Sequence, residues 1–494
     1  CALILRHHAE FYPLYMGIVA LGALPAVLAY PNSRLHPDKF RSGLRGMAGR
    51  SGLDWIVSER ALEAELAPLL DGSKVRALLF PSTTELEGEH QSNLQVDPDS
   101  PALLQHSSGT TGLQKGVVLS HRAILRHVDD YARAIEVRGD DRIVSWLPLY
   151  HDMGLIAAFH LPLALGLSSV QLAPFEWIAA PILWVEALSS EAGTLSWLPN
   201  FAYSFMAERL REDELEGLSL SQLRMLINCS EPVREASHAA LLAKLGPYGL
   251  KATALAASYA MAETTFAVTQ TVPGRECTVL PLSRVHLSEG RAALPPDDAA
   301  AQRTCVSSGR PIPGCEVRIV GAAGEELSDL SVGEILVRSP TAFDGYRNNP
   351  EETQRAFRDG WYVSGDLGFT LDGELFVVGR KKDLIIVAGK NLYPEDIEDA
   401  LNQVPGVLPG RVIAFGREDT SLGTEKVCVI VESPLEPSAH AGLRTCVIAA
   451  GQTIDVTIGE VYVVPPRWLI KSSSGKPSRS DNRARIGTEL ERLT

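Results

Sequence analysis

The feature that most constrains this chain is an alternation running from about residue 101 to residue 260. Short apolar runs (PALLQH, VVLSH, RIVSWLP, SWLPN, LRMLINC, ATALAASYA) alternate with helical patterns over 123–136, Phe201–Arg211 and Glu235–Leu245. Such alternation is the signature of βαβ units, in which a mostly parallel sheet is covered by helices. Before it, residues 11–30 read as an apolar helix running into a strand that ends at Pro31. After about residue 305 the character changes to short strands with Gly turns (CEVRIV, GEILVR, WYVSGD, GELFVVG), which predicts an antiparallel, barrel-like subdomain. Beyond the polar cluster Arg380-Lys381-Lys382-Asp383 the pattern is that of a small α+β unit. The expected organisation is therefore a large α/β domain over 1–380 and a small α+β domain over 381–494.

Composition narrows the function classes. The chain has 494 residues, 45% hydrophobic and 21% charged, which excludes wholesale disorder, collagen and coiled coil. Its formal charge of −14 makes it a poor general binder of nucleic acid or anionic membrane. The seven cysteines are scattered, with no CxxC pair, so neither a zinc knuckle nor a redox dithiol is expected and a cytoplasmic setting is. Arg6, His7, His8 and Glu10 interrupt the first apolar stretch, so it does not read as a signal peptide. The longest uncharged run, Met153 to Phe175, could span a bilayer by length. Its Pro162, Gly166, Ser168, Ser169 and Gln171 favour a buried helix followed by a strand, and no transmembrane segment is expected. The first residue is Cys1 rather than Met, so the front of the large domain is expected to be truncated.

Four stretches carry chemistry. The densest is Ser107-Ser108-Gly109-Thr110-Thr111-Gly112-Leu113-Gln114-Lys115-Gly116, between two apolar strands. Its glycines let backbone N–H groups approach an anion, its hydroxyls add donors, and Lys115 supplies a charge suited to phosphate. It is not a Walker A loop, because no Gly-Lys-Ser/Thr closes the frame. The second, Ser258-Tyr259-Ala260-Met261-Ala262-Glu263, lies at a strand's C-terminal end, where open α/β sheets bind ligands. Tyr259 could stack on a base and Glu263 could hold Mg²⁺. The third is Ser364-Gly365-Asp366 with Arg380 fourteen positions on, an Asp in a tight turn able to take two ribose hydroxyls. The fourth is Lys471-Ser472-Ser473-Ser474-Gly475-Lys476-Pro477-Ser478-Arg479. His7-His8 superficially matches the acyl-condensation motif HHxxxDG, but Tyr12 and Pro13 occupy its Asp and Gly positions.

Taken in order, these motifs resemble the adenylate-forming superfamily: acyl-CoA synthetases, nonribosomal adenylation domains, luciferases and fatty acyl-AMP ligases. The resemblance covers essentially the whole chain. Three stretches look most like fatty acyl-AMP ligases: Trp146 to Leu155 (WLPLYHDMGL), Trp197 to Tyr203 (WLPNFAY) and Glu231-Pro232-Val233-Arg234. The long segment between Glu263 and Ser308-Gly309-Arg310-Pro311 fits an insertion expected in that family, where it is thought to limit the domain motion that CoA use needs.

The resemblance implies ATP and Mg²⁺ as cofactors and a fatty acid as substrate. It implies that residues 107–116 cradle the β- and γ-phosphates, and that Ser230, Glu231, Ser258, Tyr259, Ala260 and Met261 form the adenine pocket. It implies Thr110 and Glu263 at Mg²⁺, and Asp366 and Arg380 at the ribose. His151 is implied beside the acyl carboxylate, with Trp197, Asn200 and Phe201 lining the acyl site. Lys476 is implied to bridge carboxylate and α-phosphate, and Lys382 to be the hinge of the small domain. Two departures touch the adenine pocket: Ala260 stands where the family usually has Gly, and Asn228-Cys229-Ser230 replaces Asn-Gly-Ala.

The expected activity is formation of acyl-AMP with release of pyrophosphate, then transfer to the phosphopantetheine thiol of an acyl carrier protein. The alternatives are an acyl-CoA synthetase and an inactive nucleotide-binding homologue. An amino-acid adenylation domain fits less well, because Tyr150-His151-Asp152-Met153 replaces the stretch expected to grip an α-amine. The basic residues Lys471, Lys476, Arg479, Arg483 and Arg485 could face an acidic carrier protein, or could be a solvated end segment.

Overall fold

The structure, a computed structural model, describes residues 1–31, 37–70, 75–81, 95–106, 115–293, 302–419, 424–471 and 477–489. The first two predicted runs, PALLQH and VVLSH, pair antiparallel as Pro101–His106 and Gly116–Ser120 in a small sheet with Gly345–Tyr346, whereas the other four enter a seven-stranded sheet. Its order is Arg310–Pro311, Ala267–Gln270, Leu255–Ala260, Met225–Asn228, Leu195–Leu198, Arg142–Ser145, Ser168–Gln171. The last five strands run parallel and the first two are antiparallel additions. A second, four-stranded parallel sheet is built from Ala26–Val27, Ala2–Ile4, Trp55–Ser58 and Ala77–Leu79. The central strands of both sheets are buried, which is why they read as unbroken apolar runs.

Local signals set the helix ends. Ser120 caps His121–Ala134, its Oγ accepting from the Ala123 N–H at 3.1 Å. Such a cap contributes about 1 kcal/mol. The run Met153 to Phe175 is the expected helix and strand, but its first part, Met153–His160, is a wider π-helix. Gly154 is required at its start, because a Cβ there would stand 2.4 Å from the Pro148 carbonyl oxygen. Wide helical turns of this kind concentrate at functional sites. No helix among the described residues is long and apolar enough to cross a membrane.

After residue 305 the strands are antiparallel as predicted. Glu316–Val320, Gly333–Arg338, Trp361–Leu371, Phe357–Arg358 and Glu374–Arg380 form one sheet, whose central partner is the long strand Trp361–Leu371. The segment read as an insertion forms a hairpin, Val279–Ser283 with Gln302–Val306, closed by the helix Arg284–Ser288. From Ile385 onward the chain has its own apolar cores, between the sheet Val412–Asp419, Thr424–Glu432, Ile458–Val464 and three helices. This unit packs on the rest through Arg303, which is 6% exposed. Its Nε lies 3.2 Å from Asp396 and its guanidinium 4.8 Å from the centre of the Tyr393 ring. Arg284 and Asp396 lie 3.4 Å apart, and Arg234 and Asp399 2.8 Å.

Candidate active site

The site begins where the strand Leu255–Ala260 leaves the sheet. A bulge between Tyr259 and Ala260 breaks the register with Ala267–Gln270, which re-aims the side chains that follow. Ser258 Oγ donates to the Thr269 carbonyl at 2.8 Å, and Met261 N to the Phe266 carbonyl at 2.8 Å. These bonds fix the turn that carries Glu263. Thr265, two residues on, is fully buried at φ +72°, a strained conformation for a β-branched residue.

Three distant segments then meet in one trio. Tyr259 Oη donates to Asp366 Oδ2 at 2.7 Å, and Arg380 Nε donates to Asp366 Oδ1 at 2.8 Å. Asp366 and Arg380 face each other across adjacent strands, which explains their separation by fourteen positions. Gly365, at φ +73°, turns the chain so that Ser364 Oγ can accept from the Asp366 N–H at 3.0 Å. Burial raises the Tyr259 pKa, so the phenol stays a donor. The Asp366 carboxylate raises that of Arg380. A carboxylate has about four acceptor positions, so two remain after these bonds. Beside the trio a cavity of about 250 Å³ is lined by Ser364, Gly365, Arg380, Lys381 and Lys382. Burial and neighbouring Arg380 lower the Lys382 pKa, while Lys381 donates to Glu334 at 2.9 Å.

Glu263 lies at the other end of the turn. Burial raises its pKa, and Tyr346 Oη donates to its Oε1 at 2.9 Å. The Tyr346 ring in turn carries Lys115, whose Nζ stands 4.6 Å from the ring centre and 2.8 Å from Glu352. Tyr346 and Glu352 were not singled out from sequence. Their signal was present in Gly345-Tyr346-Arg347-Asn348-Asn349-Pro350-Glu351-Glu352, where Asn349 and Pro350 mark a helix start; Asn349 Oδ1 accepts from Glu352 N at 3.3 Å.

Of the residues expected at the acyl substrate, His151 has its Nδ1 2.7 Å from the Asp152 carboxylate at the head of the π-helix. Asn200 is the centre of a polar knot: its Oδ1 accepts from Asn228 Nδ2 and from Arg234 N, both at 3.0 Å, and its Nδ2 donates to Ser237 at 3.1 Å. Glu231 Oε2 accepts from the Phe201 N–H at 2.9 Å, a carboxylate on the first turn of the helix Asn200–Arg209. Glu231, expected in the adenine pocket, is therefore tied to the helix carrying Asn200 and Phe201, which are expected at the acyl site. Ser230 before it sits at φ +69°. Trp197 is fully buried, with its indole N–H donating to Tyr131 at 2.8 Å, whereas Phe201 is 44% exposed. Cys229, the departure at 229, is fully buried against Met153.

Ser107, Ser108, Gly109, Thr110, Thr111, Gly112 and Lys476 lie outside the described residues. Flanking Lys476, Lys471 and Pro477 form a bridge, and Ser478 N donates to the Ile470 carbonyl. Two of the basic residues there are not freely solvated. Arg479 is paired with Asp383, Glu395 and Glu398, and Arg485 with Glu489 and the Trp468 ring.

The AMP-binding enzyme family matches residues 1–347. A putative acyl-CoA synthetase of Caulobacter vibrioides is 30% identical over 97% of this chain and 84% of its own length. JamA of Moorena producens, a medium-chain-fatty-acid–[acyl-carrier-protein] ligase, is 32% identical over 97% and 83%. A solved structure from a study of fatty acyl-adenylate ligases of E. coli and L. pneumophila superposes with a TM-score of 0.89 at 26% identity, covering 100% of this chain and 89% of that one. The chain belongs to the AMP-binding enzyme family and is an adenylating enzyme.

Proposed function

We propose that the protein activates a fatty acid as its acyl-AMP and passes the acyl group to the phosphopantetheine thiol of an acyl carrier protein. The observation that carries the adenylation half is the Tyr259–Asp366–Arg380 trio, which offers a diol acceptor beside a strand end that can hold a base. In this reading the acid's carboxylate attacks the α-phosphorus and pyrophosphate leaves, so charge builds on phosphoryl oxygens and catalysis is positioning plus cationic stabilisation. Asp366 and Arg380 take the ribose, Tyr259 the base, Ser230 and Glu231 the far side of the adenine. His151, held by Asp152, faces the acyl carboxylate, and Lys476 bridges it to the α-phosphate. Lys382 is the hinge between units 1–380 and 381–494.

Glu263 fits a magnesium ion. It is a hard oxygen donor, and the burial that disfavours its charge is reversed by a cation. Magnesium takes few protein ligands and completes its shell with phosphate and water. Among the described residues no cluster of three acidic, His or Cys ligands is gathered, which suits that division. When bound, the ion neutralises charge on the departing phosphates; Thr110 is the second residue assigned to it.

Preference for a carrier protein over CoA rests on the insertion hairpin. Its Arg303 is buried against Asp396 and Tyr393 of the C-terminal unit, a contact that restrains the rotation CoA use needs. The name of the Caulobacter relative keeps acyl-CoA formation as the second reading. The test is one reaction containing ATP, mixed fatty acids, CoA and a phosphopantetheinylated carrier protein, with products identified by mass spectrometry. Acyl carrier protein thioester is expected. Acyl-CoA as the main product overturns the acceptor, and absence of acyl-AMP overturns the adenylation.

A further inference from the structure

A second cavity, of about 150 Å³, opens where the strand Gly116–Ser120 begins. Arg50, Ser51, Lys115, Gly116, Tyr346, Arg347, Asn348 and Asn349 line it. Three of these side chains are cationic and none is a carboxylate, on a chain whose formal charge is −14. Lys115 is matched by Glu352. Arg50 and Arg347 are both exposed, and neither guanidinium forms an ion pair among the described residues.

The backbone holds this arrangement without help from the two guanidinium groups. Arg347 N donates to the Gly116 carbonyl at 2.8 Å, and Asn348 Nδ2 to the Arg50 carbonyl at 2.8 Å. Two planar cations without an ion-pair partner among the described residues, brought to one mouth, match an oxyanion, which each can grip with two N–H groups. At roughly 30 Å³ per water, the volume equals about five waters, enough for a small inorganic anion; pockets for drug-sized ligands start at about 300 Å³. Tyr346 connects the cavity to the reaction site: its ring faces Lys115 and its hydroxyl bonds Glu263.

We propose that this cavity is a second anion site that takes inorganic pyrophosphate after adenylation, with Arg50 and Arg347 as its specific ligands and Tyr346 as the wall shared with Glu263. Only the identity of the anion rests on the adenylation reading. A product held there is removed from the α-phosphorus before the acyl group moves on, which disfavours the reverse reaction.

The test is direct binding of inorganic pyrophosphate by titration calorimetry, with no ATP or fatty acid present. It compares the unaltered protein, Arg50→Ala, Arg347→Ala and the double variant. Each single variant is expected to weaken pyrophosphate binding about tenfold, and the double variant more. AMP affinity, the first-turnover rate of acyl-AMP formation and the circular dichroism spectrum should stay unchanged. Unchanged pyrophosphate affinity in the double variant overturns the proposal, as does an equal loss of AMP affinity, which would place both arginines at the nucleotide. Inorganic phosphate should bind more weakly; equal affinity overturns the assignment to pyrophosphate. If the unaltered protein makes no acyl-AMP yet binds pyrophosphate through Arg50 and Arg347, the site stands and the adenylation reading falls.

Discussion

Tyr259→Phe removes one hydroxyl and leaves the ring. That hydroxyl donates to Asp366 at 2.7 Å, between residues that are 9% and 8% exposed. A hydrogen bond to a charged acceptor contributes about 1.5–3 kcal/mol. The bond is already made in the protein alone, so most of that loss should fall on stability and appear in urea unfolding. What nucleotide affinity senses is the freedom of the carboxylate, which without Tyr259 is held only through Oδ1 by Arg380. Ordering a short side chain costs up to about 1 kcal/mol, which corresponds to about a fivefold weaker Kd. Calorimetric titration of AMP into Tyr259→Phe, Asp366→Ala and the double variant separates the terms. Once Asp366 is gone there is no carboxylate to orient, so Tyr259→Phe should change AMP affinity by no more than about 0.5 kcal/mol in that background. If the two losses add in full, or if Tyr259→Phe alone costs about a hundredfold, the hydroxyl acts on the nucleotide itself and the positioning argument fails.

Other outcomes follow from the same geometry. The raised pKa of Glu263 means that its charged form, needed for a cation, is lost on acidification above the ordinary value of 4.5. Tyr346→Phe removes a donor that favours the carboxylate, so the acid limb of the pH–rate profile for acyl-AMP formation should move to higher pH. The linked stability runs the other way: a raised folded pKa gives stability that is full below 4.5 and lost as pH rises through the folded value. Glu263→Gln should therefore be at least as stable as the parent at pH 7 in urea unfolding, while inactive. Arg303→Met removes one of two cations beside Asp396, leaving Arg284, and should cost about 1–3 kcal/mol, read as faster hydrogen exchange in 385–419 and 424–471. Arg234→Ala, whose partner Asp399 is half exposed, should cost at most about 1 kcal/mol. Lys476→Ala should abolish acyl-AMP formation while AMP binding survives; near-normal acyl-AMP output would remove the role given to that lysine.

Much of the architecture was legible because its causes are local or periodic. The apolar runs at 142–148, 196–200 and 223–229 alternate with helical patterns, and the sheet they enter is mostly parallel as that alternation implies. Gly365 and the fourteen-position spacing of Asp366 and Arg380 were readable as a turn and its partner. Less legible were contacts across large sequence separation. Nothing near Tyr259 shows that its hydroxyl ends on Asp366, 107 positions away, or that Tyr346 reaches Glu263. Arg479 and Arg485 read as a basic surface because a sequence lists charges without partners; folding spends them on Asp383, Glu395, Glu398 and Glu489.

By itself, then, the sequence determined the parallel-sheet class, the order of the motifs and the resemblance to adenylate-forming enzymes, because hydrophobic period and turn chemistry act over a few residues. The tertiary structure alone decided which donors hold which carboxylates. It placed Arg50 beside Arg347 and fastened the insertion hairpin to the C-terminal unit through Arg303. Hydrogen bonds and ion pairs are short-ranged, so their pairing exists only once packing has brought distant segments within a few ångströms.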